Sequence, residues 1–294
     1  MKNRLRTMLF VPGDRPSRIS VAFSAQVDAV VIDLEDAVAP MSKASARYDS
    51  VEAIRTVGEN APLVTVRVNA VGSSYFDDDL EALAAAMPRI AIVLLPKAES
   101  ASDVARLDAA LTRIEKSQGI DAGQVSVVPI VETARGVLNA REIAESSERV
   151  ATLMFGAADL SANLGVTATP NGVELLYARS HVVLAVAAAG KAQPIDGPHL
   201  TLRDAPGLER SARSARSLGF AGKALIHPEQ LSVVAAVFSP TDAELRWAQL
   251  VEDAHREAQN AGSGVATLDD GTFIDEPVVA QARRILAATP KGVA

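Results

Sequence analysis

The sequence predicts a mixed α/β protein: a (β/α)8 TIM barrel followed by a C-terminal lid of helices and a hairpin. Eight short apolar runs lie along the first 238 residues, separated by segments whose apolar residues recur at helical spacing. Short apolar runs in this setting are typical of buried parallel strands. A barrel of eight βα units usually needs about 250 residues, and the chain has 294. A doubly wound open sheet is less favoured, because no G-x-G-x-x-G turn follows the first run.

The eight predicted strands are residues 7–11, 29–34, 63–68, 90–95, 124–131, 151–155, 192–195 and 223–226. Residues 79–87 and 103–111 are examples of the amphipathic helices between them. After residue 238 the pattern changes. Thr241 and Glu244 form a capping-box signature for a helix reaching about residue 260, then a turn-rich segment precedes a last helix over residues 277–287. We therefore divide the chain into a barrel, residues 1–238, and a lid, residues 239–294, too short for its own core.

Composition excludes several classes of function. A net charge of −7 argues against a nucleic-acid binder, and the absence of cysteine removes disulfides, thiolate nucleophiles and Cys-ligated zinc. The N-terminal apolar run stops at Pro12, too early for a signal peptide, and the apolar helix around residues 181–189 is too short for a bilayer. We expect a soluble, cytoplasmic protein without nucleic-acid or membrane partners.

Polar residues follow most predicted strands, where parallel α/β folds keep their chemistry. The strand-end residues are Asp14, Arg15, Asp33, Glu35, Asp36, Arg67, Asn69, Lys97, Glu132, Asp159, Asp196 and His227. A single strand-end acid is more often structural, but repetition at the same end of successive strands favours a site.

Glu132 and Asp159 are the best candidates for a metal site, because paired carboxylates suit Mg²⁺ and leave positions for water and substrate. The alternative is that both are helix-start acids favoured by the helix dipole. Arg67 is expected either to grip a carboxylate or enolate oxygen, or to form a buried ion pair with Glu35 or Asp36.

Eight motifs occur in order along nearly the whole chain and resemble those of the citrate lyase β-subunit-like family of CoA-ester lyases, in the HpcH/HpaI aldolase group. They are LFVPGDRP at 9–16, VIDLEDAV at 31–38, VRVN at 66–69, LPK at 95–97, IVET at 130–133, FGAADL at 155–160, GKALIHP at 222–228 and, resembling the C-terminal lid of malyl-CoA and citramalyl-CoA lyases, DDGTFIDEPVV at 269–279. The resemblance implies a TIM barrel, a homotrimer or dimer of trimers, and Mg²⁺-dependent chemistry between acetyl-CoA, or a close relative, and a 2-oxo acid.

The same resemblance implies roles for individual residues. Glu132 and Asp159 would bind Mg²⁺, and Arg67 would contact the oxo-acid or thioester oxygen. Backbone amides of Gly156, Ala157 and Ala158 would hold the substrate carboxylate.

Around the metal- and substrate-binding residues, Glu35 and Asp36 would order the water molecules on the metal and fix Arg67. Coenzyme A would lie near Ile226 and Pro228, with Arg15 and Lys97 for phosphates or substrate.

Asp275 of the lid would act as acid/base in an adjacent subunit's site; its alternative role is to cap the last helix. No histidine lies near strand two, which disfavours aldolases that act on free pyruvate. His255 is expected to be exposed, and His181 to lie in the core or at an interface.

These observations predict a Mg²⁺-dependent lyase that splits a 3-hydroxyacyl-CoA, such as malyl-CoA or citramalyl-CoA, into acetyl-CoA and a 2-oxo acid. Two alternatives stay open: the β subunit of a multi-chain citrate lyase, and a malyl-CoA thioesterase.

Overall fold

The computed structural model describes residues 5–288 and contains a closed barrel of eight parallel strands in sequential order, with β1 paired to both β2 and β8. The strands are β1 Thr7–Pro12, β2 Ala29–Asp33, β3 Leu63–Arg67, β4 Ile92–Leu95, β5 Ser126–Val131, β6 Met154–Phe155, β7 Ile195–Asp196 and β8 Gly222–Leu225. The predicted TIM barrel is thereby confirmed.

Helices alternate with the strands and surround the barrel. They are α1 Pro16–Phe23, α2 Lys43–Thr56, α3 Phe76–Leu83, α4 Ala101–Ser117, α5 Ala134–Leu138, α6 Ala140–Glu145, α7 Ala157–Leu164, α8 Leu176–Ala188, α9 Ala205–Leu218 and α10 Leu231–Phe238. Short 3₁₀ turns occupy Pro40–Ser42, Ala84–Arg89, Val173–Leu175 and Pro228–Gln230.

Side chains that alternate along the strands fill the barrel interior. Every residue of β2 and β4 is buried, as expected for strands covered on both faces. The interior cluster takes every second residue, for example Ala29 and Val31 of β2 and Ile92 and Leu94 of β4. A filled interior leaves the chemistry to the strand ends.

Strands β6 and β7 are only two residues long, shorter than predicted. Hydrogen bonds nevertheless continue the ladder before them, from Ala151 N to Val127 O at 3.0 Å and from Ala192 N to Ala151 O at 3.2 Å. The apolar runs were therefore located correctly, although regular strand geometry covers only their ends.

The chain divides into two compact units after Ala235. The C-terminal unit contains α11 Asp242–Asn260, a small antiparallel hairpin of β9 Ala266–Thr267 and β10 Phe273–Ile274, and α12 Glu276–Leu286. Contrary to expectation, it has a small apolar cluster of its own, formed by Ala248, Val251, Ile274, Val279 and Ala282. The assignment of the barrel as catalytic and of residues 239–294 as a lid stays a prediction.

Predictions from the sequence concern two local features of this unit, the capping box of α11 and the exposure of His255. Thr241 and Glu244 form the predicted capping box at the start of α11. His255 was expected to be exposed, which is wrong: it is 4% exposed. It shares the buried face of α11 with Ala248 and Val251, at offsets of seven and four residues. Within residues 5–288, no helix has the length and apolar character needed to cross a membrane.

Candidate active site

A cavity of about 360 Å³ opens at the carboxyl ends of the barrel strands. Its lining includes apolar and charged side chains: Phe10, Met154, Phe155, Leu200 and Ile226, and Asp33, Asp36, Arg67, Glu132 and Asp159. A concave apolar space with a few convergent polar groups is the usual form of a small-molecule site.

Glu132 and Asp159 both line this cavity. Glu132 follows β5 and is 2% exposed, while Asp159 lies in the first turn of α7 and is half-buried. Burial, followed by the negative charges of Asp159 and Glu35, raises the pKa of Glu132 to about 7. Both carboxylates line the same cavity, and their like charges repel each other.

Gly156 makes room for the Glu132 carboxylate. A Cβ atom at position 156 would lie 2.4 Å from the Glu132 Cβ and 2.5 Å from its Oε2. The glycine of the FGAADL motif is thus required by close packing against the acid.

Arg67, the last residue of β3, is held from two sides. Its Nε and Nη2 donate to the two carboxylate oxygens of Asp33 at 2.7 and 2.6 Å, and its Nη1 forms an ion pair with Glu35 Oε2 at 2.9 Å. Burial disfavours the charged guanidinium, but Asp33 and then Glu35 outweigh this effect and raise the pKa of Arg67. The guanidinium also lies 5.3 Å from the centre of the Phe10 ring.

The predicted partners of Arg67 are only partly correct. Glu35 does contact the guanidinium, whereas Asp36 pairs with Lys97 at 3.2 Å and makes no described contact with Arg67. Asp33, which binds Arg67 through both carboxylate oxygens, was not predicted as its partner. It closes β2 in register with Arg67 of β3, and that register is a signal which adjacent parallel strands could have supplied.

Lys97 lies between the two groups of acids. Its backbone N–H donates to Glu132 Oε1 at 2.8 Å, and its ammonium binds Glu35 and Asp36. Burial opposes its charge, but Glu35 and Asp36 more than compensate, and the pKa of Lys97 is raised. Its predicted role in binding phosphates or substrate stays a prediction.

The remaining predicted binding residues are distributed around the mouth. Ala157 and Ala158 begin α7 and line the cavity together with Gly156, so α7 directs its N-terminal backbone amides towards it. The predicted use of the Gly156 amide differs from the structure, because Gly156 N already donates to Val131 O at 3.1 Å. Ile226 also lines the cavity.

Arg15 and Pro228 are placed differently. Arg15 is exposed beside Asp14, with 3.6 Å between Arg15 Nε and Asp14 Oδ1, and Pro228 begins a 3₁₀ turn. Neither is among the described residues that line the cavity, whereas Arg18, three residues after Arg15 on α1, is. Helical i, i+3 spacing could have indicated Arg18, which sequence reasoning missed.

Two further strand-end residues face away from the expected position. Asp196 of β7 is buried and pairs with Lys223 of β8 and Arg179 of α8, on the helix-facing side of the barrel wall. His227 instead accepts a hydrogen bond from Glu229 N at 3.3 Å and caps its own turn. Neither is among the described lining residues of the cavity.

In the C-terminal unit, Asp275 accepts a hydrogen bond from Val278 N at 3.3 Å and caps α12. The alternative role considered for this residue is therefore present in the structure. Its role as an acid/base stays a prediction.

The charges of the site fit a divalent cation. Asp33, Glu35 and Asp36 form ion pairs with Arg67 and Lys97, whereas Glu132 and Asp159 repel each other and form no ion pair within residues 5–288. In the described chain no group of three or more His, Cys, Asp or Glu is arranged to hold a metal. Two carboxylates are nevertheless sufficient for Mg²⁺, which keeps several positions for water and substrate.

A closed α/β barrel with two acids, a fixed guanidinium and the N-terminal end of α7 at its carboxyl end has the groups that enzymes use to stabilise developing negative charge. Residues 6–228 match the model of one family, described as HpcH/HpaI aldolase/citrate lyase. The chain belongs to the HpcH/HpaI aldolase/citrate lyase family, as the motifs predicted.

Several relatives align along almost the whole chain. The citrate lyase subunit beta of Leuconostoc mesenteroides subsp. cremoris is 37% identical over 281 residues, covering 96% of this chain and 92% of that protein. The mitochondrial citramalyl-CoA lyase of Homo sapiens is 33% identical over 286 residues, covering 95% and 83%. These relatives are lyases, and the chain is a carbon–carbon lyase.

A solved structure of CitE from Mycobacterium tuberculosis, in complex with magnesium, acetoacetate and coenzyme A, is similar throughout. The TM-score is 0.78 at 34% identity, and the match covers 97% of this chain and 98% of that one.

Proposed function

We propose that this protein is a Mg²⁺-dependent CoA-ester lyase that splits a 3-hydroxyacyl-CoA, such as malyl-CoA or citramalyl-CoA, into acetyl-CoA and a 2-oxo acid, or joins them in reverse. The observation that carries the proposal is the cavity in which two unneutralised carboxylates, Glu132 and Asp159, lie beside a fixed arginine. The magnesium and coenzyme A in the related CitE structure support it.

Glu132 and Asp159 would hold the metal, which when bound stabilises negative charge on the substrate's oxygens. The amides of α7 would receive the carboxylate of the oxo-acid part. Arg67 has five N–H groups, of which Asp33 and Glu35 occupy about three, so two remain for a substrate oxygen. Because both acids fix its plane, Arg67 can stabilise developing charge without reorganising.

In the cleavage direction the substrate's hydroxyl releases its proton to solvent and becomes the carbonyl of the 2-oxo acid. The bond between that carbon and the α-carbon of the thioester breaks, and its electron pair passes to the α-carbon as the enolate of acetyl-CoA. A proton must then reach the enolate carbon. We assign this step to Asp275, supplied by an adjacent subunit of a homotrimer.

The test is direct incubation of the purified protein and Mg²⁺ with malyl-CoA and citramalyl-CoA, with separation of the products. Acetyl-CoA with glyoxylate or pyruvate supports the lyase. Free CoA with malate contradicts it and indicates a thioesterase.

The second candidate, a β subunit working within a citrate lyase complex, is favoured by the 37% identity to such a subunit over 92% of its length. Lack of turnover of both CoA esters by the isolated chain, with citryl thioester cleavage once partner chains are added, would establish this candidate instead.

Asp275 gives a sharp prediction because asparagine caps a helix about as well as aspartate. Asp275→Asn should keep the cap of α12 and the melting temperature, while turnover falls about 10²–10⁴-fold as the acid/base is lost. Asp270→Asn is the matched control: Asp270 caps its own turn by accepting from Thr272 N at 2.9 Å, and this variant should keep full turnover.

The supply of Asp275 by a neighbour can be tested by mixing two inactive variants. Asp275→Asn subunits carry an intact metal site, and Glu132→Gln subunits carry an intact aspartate. Reassembled mixtures should regain part of the activity. Unchanged turnover in Asp275→Asn, or mixtures without recovery, would contradict the assignment.

A further inference from the structure

Lys97 has an unusual backbone conformation. Its φ of 51° is the only positive φ of a non-glycine residue among the described residues. A side chain with a Cβ disfavours this left-handed region, and such conformations persist where the surroundings hold them. Two hydrogen bonds, one to β5 and one to the residue after it, do so here: Ala98 N donates to Ile130 O at 3.1 Å, and Lys97 N donates to Glu132 Oε1 at 2.8 Å.

The side chain of Lys97 has a second task. Its ammonium binds Glu35 and Asp36, so one residue touches a predicted metal-binding acid through its backbone and two other acids through its side chain. A glycine would accept the same backbone more easily, but it would leave Glu35 with Arg67 alone and Asp36 without a described partner.

Five carboxylates meet in this part of the molecule: Asp33, Glu35, Asp36, Glu132 and Asp159. Their oxygens are chemically alike, and Mg²⁺ discriminates poorly between one carboxylate and another. What distinguishes them is charge compensation. Arg67 forms ion pairs with Asp33 and with Oε2 of Glu35, and Lys97 forms ion pairs with Asp36 and with Oε1 of Glu35.

We infer that Lys97 is a positioning residue that determines which carboxylates receive the cation. Lys97 pairs with Glu35 and Asp36 and holds Glu132 in place. The Glu132–Asp159 pair is then left as the metal-binding site. This role rests on the proposed metal-dependent function, and it reassigns Lys97 from binding substrate to arranging the acids around it.

The inference predicts an opposite response of metal binding and turnover. Lys97→Met removes a positive charge beside the metal-binding site and frees two acids, so Mg²⁺ should bind about tenfold more tightly. The ion would then be shared with Glu35 and Asp36 and displaced from the geometry that the substrate needs, so turnover should fall at least about tenfold. A variant that merely loosens the fold would weaken binding and turnover together.

Metal binding is measured by calorimetric titration of the metal-free protein with Mg²⁺, in the absence of substrate. Lys116→Met, which removes an exposed lysine at the end of α4, controls for net charge and should bind Mg²⁺ like the wild type. Lys97→Gly loses the ammonium without backbone strain, and should bind Mg²⁺ like Lys97→Met but melt about 2–4 °C higher.

A compensating change sharpens the test. Adding Glu35→Gln to Lys97→Met restores the local charge balance and should return Mg²⁺ affinity to within about twofold of the wild type. Unchanged or weaker Mg²⁺ binding by folded Lys97→Met overturns the inference. A wild type that binds no Mg²⁺ would instead refute the proposed function itself, so the two failures are distinguishable.

Discussion

Two groups of buried acids and arginines stand at different places on the barrel, and they have opposite electrostatic properties. In the first, Arg149 lies just before β6 and binds Asp108 and Glu115 of α4. In the second, Arg67 and Lys97 lie among the five carboxylates at the cavity. Both contain a glutamate of 2% exposure or less, Glu115 in one and Glu132 in the other.

The Arg149 group is complete. The guanidinium donates to Asp108, to both oxygens of Glu115, to Thr112 and to the Val125 carbonyl. Burial alone would raise the pKa of Glu115, but Arg149 and the backbone amides of Val125 and Gly123 lower it. Such a group is fully satisfied and has no capacity to bind anything else.

The cavity group is incomplete by the same criterion. Glu132 accepts one described hydrogen bond, from Lys97 N, and its pKa is raised to about 7. The comparison teaches that burial does not by itself distinguish a structural acid from a functional one. What distinguishes a structural acid from a functional one here is the number of hydrogen-bond donors that face it.

The largest expected effect is the loss of metal-dependent turnover. Glu132→Gln and Asp159→Asn should each reduce turnover by at least about 10³-fold, because the metal-binding site loses one of two charged ligands. Neither should lower the melting temperature of the metal-free protein, since each removes repulsion. Mg²⁺ affinity equal to the wild type in either variant would show that the cation lies elsewhere.

Next comes the stability of the Arg149 group. Arg149→Met leaves Glu115 buried without its cation and should destabilise the protein by about 3–5 kcal/mol in denaturant titration. Turnover of the folded protein should stay unchanged. The control is Arg141→Met, which breaks an exposed i, i+4 pair with Glu145 and should leave stability unaltered. Equal stability of the two variants would show that the buried ion pairs of Arg149 stabilise the protein no more than the exposed pair of Arg141.

A smaller effect is expected at Gly156. Gly156→Ala places a methyl group against the Glu132 side chain and should shift the carboxylate, lowering turnover about 10²-fold. Mg²⁺ affinity should fall as well. Gly58→Ala is a suitable control because a Cβ there meets nothing within 4 Å. Wild-type turnover in Gly156→Ala would mean that Glu132 can move without consequence.

The smallest effect concerns acid sensitivity. Because the folded pKa of Glu115 is below its ordinary value of 4.5, its contribution to stability is present above about pH 4.5 and is lost as pH falls through the folded pKa. Melting temperature should therefore decline on acidification less steeply in Glu115→Gln than in the wild type. Parallel curves would indicate that other acids dominate the decline.

Much of the fold was predictable because a barrel strand is buried on both faces and appears as an apolar run. The polar strand ends were predictable for a related reason, since parallel strands deliver their ends to one edge. The direction in which each side chain points was harder to predict from the sequence. Asp196 was expected at the mouth but lies against Lys223 and Arg179, because a strand of two residues has no periodicity to read.

Two other features were not predicted. The left-handed turn at Lys97 falls on a residue type that seldom adopts it. The buried position of His255 depends on what packs on α11, which helical spacing alone leaves open.

On the proposed function, the apolar residues that line the cavity are the positions at which a preference for one acyl chain over another can change. Gly197 cannot gain a side chain, since a Cβ there would meet the Phe155 carbonyl at 2.6 Å. Leu200 and Ile226 line the cavity, carry no charge and take part in none of the ion pairs described above. On the proposed function, a mutant library aimed at a bulkier or smaller oxo acid would therefore begin with these two positions, where selection can act on size without removing a charged group.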